Sequence, residues 1–189
     1  DGVTYALPEP FMVIATQTPF GSVGTQKLPE SQMDRFMIRV TMGYPSVEDE
    51  VSIMKSKTGG LSNRVLSKNV INAQDFMAMR DIVDEVYVDD SIYEYVAKIV
   101  AKTRDSDDIL QGISPRGSIS IINMAKAEAF LRGHDYVLPS DIQFVLNDTM
   151  AHRIILNRSL KRGHITEESV IDSICRSVDV PKIGTRGIL

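Results

Sequence analysis

Only one of the 189 residues is cysteine, Cys175. A disulfide framework within the chain is therefore excluded, and a cytoplasmic home is the expectation. Apolar runs are short. No window approaches the ~18 consecutive apolar residues of a membrane-spanning helix, and no signal-peptide pattern is visible. A basic excess is missing too: 21 Lys and Arg stand against 25 Asp and Glu, for a net charge of −4. That balance weighs against a specific nucleic-acid partner. His134, His152 and His164 share no metal-ligand spacing, and no cysteine pair accompanies them. The acidic "RDSDD" (104–108) lacks the glycine and closing glutamate of an EF-hand. Internal repeats and low-complexity tracts are absent. The chain opens on Asp1 rather than Met, inside a structured pattern, and is expected to be a piece of something longer.

What is present suits a folded domain with a core of ordinary size: 43% hydrophobic and 24% charged residues. The continuous apolar run "FMVIAT" (11–16) predicts a buried strand of a parallel sheet. A Gly/Pro-rich loop follows, and Pro29 predicts the first position of a short helix over 29–35. "FMIRVTM" (36–42) alternates Phe36, Ile38, Val40 and Met42 with polar residues, which predicts a second strand. Ser46 and Asp49 then approximate a capping box for a helix with Val47, Val51 and Met54 as its apolar stripe, stopped at Gly59 and Gly60.

Beyond an irregular stretch over 61–71, the period is helical. Helices are predicted over 72–85 (cap Asn72), 90–104 (cap Asp89), 115–132, 139–157 and 166–178 (cap Thr166). Their stripes include Ile92, Val96, Ile99 and Val100, then Ile119, Ile122, Ala125 and Ala129. Ile142, Val145, Leu146 and Thr149 follow, then Val170, Ile171, Ile174 and Val178, with Cys175 read as core-facing. Single stripes need partners, so a small helical bundle is expected.

Three residues stand out. In "SPRGS" (114–118), Ser114 suits an N-cap and Pro115 the first helical position. Arg116 then falls in the first turn, where the helix dipole disfavours a cation by about 0.3–1 kcal/mol. An anion resolves the conflict, because free N–H groups and an arginine together form a phosphate site. The plainer alternatives are a solvated arginine or one paired with a carboxylate in the bundle. Thr18 lies just past the tip of the first predicted strand, the edge where open α/β sheets bind ligands; taken alone, it reads better as a simple turn residue. Arg35 sits at a helix–strand corner, facing outward or paired with Asp34 or Glu30.

Taken in order, "LPEPFMVIATQTP", "GTQKLPESQMDRFMIRVTMGYP", "VDDSIYEYVAKIVAKTR", "GISPRGSISIINMAKAEAFLRGHDYVLPSDI" and "RSVDVP" resemble the MoxR family of AAA+ ATPases over nearly the whole chain. The resemblance implies a mixed, mostly helical α/β fold: C-terminal strands of a P-loop NTPase core over 1–60, a linker over 61–71, an all-α lid over 72–181 and a tail over 182–189. It places Arg35 of "MDRF" at the arginine-finger position, acting on a neighbouring subunit; the adjacent Asp34, read from its position and not from the resemblance, is expected to hold the guanidinium in place until the partner docks. It places Arg116 of "SPR" at the sensor 2 position, on the ATP phosphates. The sensor 1 position, usually Asn, is Thr18 here, whose hydroxyl can still hydrogen-bond a water or phosphate.

The resemblance further implies ATP and Mg²⁺ as cofactors, a ring (a hexamer) as the assembly, and client proteins and von Willebrand factor A domain proteins as partners. No G-x-x-x-x-G-K-[ST] occurs and no apolar strand ends in Asp-Glu, so this chain alone is expected to be inactive. Three alternatives stay open. One is a magnesium-chelatase-type motor subunit, which shares the block around Arg35. Another is a non-catalytic assembly module. The last, a replicative helicase fragment, is disfavoured by the acidic balance.

Overall fold

A computed structural model describes residues 2–17, 28–58, 71–157 and 165–182. Its chain order is α1 (Glu30–Met33), α2 (Val47–Thr58), α3 (Ala73–Glu85), α4 (Asp90–Asp105), β1 (Ile109–Gln111), α5 (Pro115–Leu131), α6 (Pro139–Met150), β2 (Ile155–Leu156) and α7 (Glu167–Arg176).

Local chemistry sets most of the helix starts. Asn72 accepts from the Asp75 N–H at 2.9 Å, and Asp75 reaches back to the Asn72 N–H at 3.4 Å, closing a capping box. Asp89 caps α4 through the Ser91 N–H at 3.0 Å, and Thr166 caps α7 through the Ser169 N–H at 3.2 Å. Helix α5 stops at a glycine because the backbone there turns left-handed: Gly133 has φ of +79°. The His134 N–H then reaches the Ala129 carbonyl at 2.8 Å and the Gly133 N–H reaches Phe130 at 2.9 Å, a Schellman stop.

The core is the space enclosed by α4 to α7. Ile92, Ile99, Ile121, Ile142 and Ile171 are fully buried there. The predicted stripes of α4, α6 and α7 all face this core. On α5, Ala125 and Ala129 are fully buried as predicted and Ile122 packs against the core, but Ile119 is 62% exposed and Ile121 is buried in its place. Small residues accompany this change in the first turns. Gly117 and Ser120 face inward, leaving room for the side chain of Arg153. Cys175 is half-buried, its Sγ 3.6 Å from the Tyr95 hydroxyl.

Three expectations need correction. The predicted helix over 139–157 ends at Met150; the following "IIL" turns away, and β2 pairs antiparallel with β1. The run 11–16 is not a strand. Phe11, Met12 and Ile14 are 57%, 73% and 79% exposed, and no neighbouring strand is present among the described residues. A parallel strand exists only through its ladder partners, so the apolar run stays unpaired. Nor do residues 36–42 form a strand, because their backbone groups are used elsewhere. The Phe36 and Met37 carbonyls accept from Arg153, and the Arg39 N–H donates to the Asp148 carbonyl at 2.9 Å. The segment that follows α1 is thus docked on the helical bundle, at the C-terminal end of α6.

Candidate functional site

The dock centres on one carboxylate. Asp34 ends α1, and three side chains from the bundle converge on it. Arg153 Nε donates to Oδ1 at 3.1 Å. Arg116 Nη1 donates to Oδ2 at 3.4 Å. The Ser114 hydroxyl donates to Oδ1 and Oδ2 at 3.2 and 3.3 Å. Ser114 therefore sits at the N-cap position of α5 without capping it, and turns its hydroxyl to Asp34 instead. The conflict noted for Arg116, a cation at the positive end of a helix, is met by an anion from within the chain.

The two arginines differ in burial. The Arg116 side chain is 55% exposed; that of Arg153 is 1% exposed. Every N–H face of the Arg153 guanidinium is used. Nη1 donates to the Met37 carbonyl at 3.1 Å and to the Thr149 carbonyl. Nη2 donates to the Phe36 carbonyl at 2.6 Å, the Ser120 hydroxyl at 3.0 Å and the Asp34 carbonyl at 3.3 Å. Its stem passes Gly117, where an added Cβ would lie 3.2 Å from Arg153 Cδ and 2.5 Å from Ile113 Cγ2. Burial pulls the Arg153 pKa below the ordinary arginine value, while Asp34 pulls it back up. A guanidinium stays charged through such a shift.

His152 completes the dock, with Nε2 3.1 Å from the Phe36 carbonyl. Desolvation lowers its pKa below the ordinary 6.5, with the charges of Arg153 and Arg39 acting the same way; the Phe36 hydrogen bond and Asp34 act against them. Neutral imidazole therefore donates from Nε2. A depressed pKa means that the folded state binds fewer protons than the unfolded state. The resulting stability is present above about pH 6.5 and is lost as the pH falls through the lower folded value. Thermal melts between pH 7.5 and 5 should show this decline. His152→Gln, which keeps a donor for Phe36, should flatten it; an unchanged slope would place the titration on another group.

Arg35 lies between Asp34 and Phe36 with its side chain exposed, beside an open cleft lined by Phe11, Met12, Val13, Ser31, Gln32 and Met37. Among the described residues it makes no salt bridge, so the expected Asp34–Arg35 pairing is corrected: Asp34 serves Arg153 and Arg116 instead. Thr18 falls outside the described residues. Of the three sequence candidates, the structure thus brings Arg116 and the backbone of Arg35 together around Asp34. Arg153 was not anticipated. Its signal was available: an arginine inside the apolar "HRIIL" (152–156) at the end of an amphipathic helix is either wasted or buried on an acid.

For a phosphate, the arrangement leaves one accessible guanidinium, that of Arg116 at the N-terminus of α5, because Arg153 spends its N–H groups within the fold. For a divalent cation the arrangement does not fit: no three His, Cys, Asp or Glu side chains among the described residues converge as a metal set.

Comparison with known proteins agrees along the chain. Residues 1–38 match the ATPase family associated with various cellular activities (AAA), and residues 101–174 match the AAA lid domain. The chain is 40% identical to the uncharacterized protein YeaC of Bacillus subtilis, over 96% of this chain and 56% of YeaC. It is 32% identical to chaperone MoxR1 of Mycobacterium tuberculosis, over 96% of this chain and 50% of that protein. A crystal structure of a proposed ATPase from Cytophaga hutchinsonii matches with a TM-score of 0.82 and 34% identity, over 94% of this chain and 56% of that one. The chain spans about half the length of the curated relatives it matches. Family matches at both ends, relatives aligned along nearly all of it and a shared fold lead to one conclusion: the chain belongs to the MoxR family of AAA+ ATPases.

Proposed function

We propose that this chain contributes the end of an AAA+ core and its helical lid to an ATPase whose sites form between neighbouring subunits of a cytoplasmic ring, a hexamer. In this reading residues 1–60 belong to the core, 61–71 link it to a lid over 72–181, and 182–189 form a tail. Arg116 is sensor 2 and holds the phosphates of ATP bound by its own subunit. Arg35 is the arginine finger and reaches the phosphates bound by the next subunit. Thr18 takes the sensor 1 position. The P-loop and the carboxylates for Mg²⁺ belong to the part of the core that these residues do not include. Lid motion driven by ATP turnover would remodel or mature client complexes, in keeping with a relative named as a chaperone. Proteins carrying von Willebrand factor A domains are the proposed partners.

The observation that carries the reading is Arg116. Asp34, 3.4 Å away, meets the dipole conflict of this first-turn cation of a 17-residue helix, yet the Arg116 side chain stays 55% exposed and its remaining N–H groups face outward from an ion pair that contributes little. Such a guanidinium is well explained as one kept available for a phosphate. In the complete subunit, Arg116→Ala should lower ATP turnover about 10²-fold, the usual cost of losing one charge-stabilising donor. The melting temperature should barely move, since an exposed ion pair contributes only about 0–1 kcal/mol. A large loss of stability with normal specific activity would assign Arg116 to the framework. A non-catalytic assembly module, favoured by Thr18 in place of the usual Asn, would show no ATP turnover in the unmodified subunit either.

A further inference from the structure

We propose that Arg153 is a positioning residue for Arg35: it fixes the backbone on both sides of the finger and registers that backbone against the lid. The inference rests on the reading of Arg35 as a finger and goes beyond it, because it names what holds the finger in place.

The geometry is specific. The peptide carbonyl preceding Arg35, that of Asp34, accepts from Arg153 Nη2 at 3.3 Å. The carbonyl of Phe36, the residue after it, accepts from the same Nη2 at 2.6 Å and lies 3.1 Å from His152 Nε2. The Met37 carbonyl accepts from Nη1 at 3.1 Å. On the N–H side, Arg35 donates to the Gln32 carbonyl at 3.1 Å and Phe36 to Met33 at 3.0 Å. The Arg35 backbone is thereby fixed, while its side chain is left exposed. The other half of the guanidinium is held by the lid, through the Ser120 hydroxyl on α5 and the Thr149 carbonyl on α6. A guanidinium has five donors in a rigid fork, so one buried side chain can tie a loop and two helices into one geometry. An ammonium cannot. A finger must reach its target to within a fraction of an ångström, and a displacement of about 1 Å can cost about 10²-fold in rate.

The same Asp34 carboxylate also receives Arg116. Arg153 thus ties the finger loop to the end of α5 that carries the phosphate-reading arginine. A shift of the lid on its own nucleotide moves the finger offered to the neighbour.

The test uses the complete subunit and steady-state ATP hydrolysis. Arg153→Lys keeps the charge and loses the fork. It should lower kcat about 10- to 100-fold and change KM for ATP less than about twofold, the mark of a misplaced group rather than a lost binding site. Asp34→Asn, which attacks the clamp from its partly exposed side, should act in the same direction and covers the case in which the lysine variant folds poorly. The decisive readout is mixing. Rings formed from Arg153→Lys and a P-loop variant with an intact clamp should regain activity, because the lysine variant's own ATP is then served by a correctly held Arg35. A merely structural lesion damages the variant's own site and recovers nothing. Wild-type kcat in both variants, or no recovery in rings that demonstrably mix, overturns the proposal. Arg35→Ala is run beside them. If it hydrolyses ATP normally, the finger reading falls and this proposal with it. If it is inactive while both clamp variants are normal, only the positioning role falls.

Discussion

Replacing Arg35 by alanine should remove nearly all ATP turnover of the complete subunit, by about 10³-fold or more, or at least about 4 kcal/mol of barrier. A finger offers positive charge to the transferring phosphoryl only as charge develops there, so its loss falls on the chemical step and not on ATP binding. ATP affinity and ring assembly should be close to normal. Arg35 makes no salt bridge among the described residues, and its side chain is exposed, so the substitution removes little that the fold needs. Mixing Arg35→Ala with an inactive P-loop variant should restore part of the activity, since some interfaces then pair an intact P-loop with an intact finger. If rings mix and nothing returns, Arg35 does not act across the interface.

The second large effect is on stability. Arg153→Ala should cost about 3–5 kcal/mol, the usual penalty for removing one partner of a buried, hydrogen-bonded ion pair. In a chain of this size that lowers the melting temperature by about 6–20 °C. The Phe36, Met37 and Thr149 carbonyls lose a donor together, Asp34 loses its buried partner, and the stem leaves a void beside Gly117. Arg116→Ala, which breaks the other ion pair of the same Asp34, should cost no more than about 1 kcal/mol, because that guanidinium is 55% exposed. Differential scanning of the two variants side by side reads the contrast directly. Equal losses would mean that burial does not distinguish the two arginines.

What could be read from the sequence follows from how far each interaction reaches. The caps at Asn72, Asp89 and Thr166 are made by residues within 3 positions of each other, and all were legible. So were the core faces of α4, α6 and α7, because a helix buries one stripe whatever it packs against. The strands over 11–16 and 36–42 were misread for the opposite reason. A strand is defined by a distant partner, and "FMIRVTM" alternates correctly while its carbonyls go to Arg153 instead of a ladder. The α5 face was misjudged only at its start, at Ile119, because Gly117 and Ser120 look neutral until the arginine that fills the space above them is known. Arg116 was singled out by a local rule it breaks. Arg153 sits just past a helix C-terminus, where a cation is favoured, so only its apolar neighbours in "HRIIL" mark it as buried, and they do not reveal that Asp34 is the partner.

The bridge between Asp34 and Arg153 spans 119 positions. Contacts of that separation carry the largest loop-closure entropy and tend to form late. Helices α4 to α7 share one core and meet over shorter stretches of chain, 80 positions at the Tyr95–Cys175 contact of α4 with α7. The finger loop then docks onto a surface that already exists. A bond absent from the folding transition state slows unfolding without speeding folding. In the Arg153→Ala variant, the lost stability should therefore appear in the unfolding arm of a chevron, with the folding arm nearly unmoved. The clamp would set how long the finger stays seated once the lid has formed, rather than whether the lid forms at all.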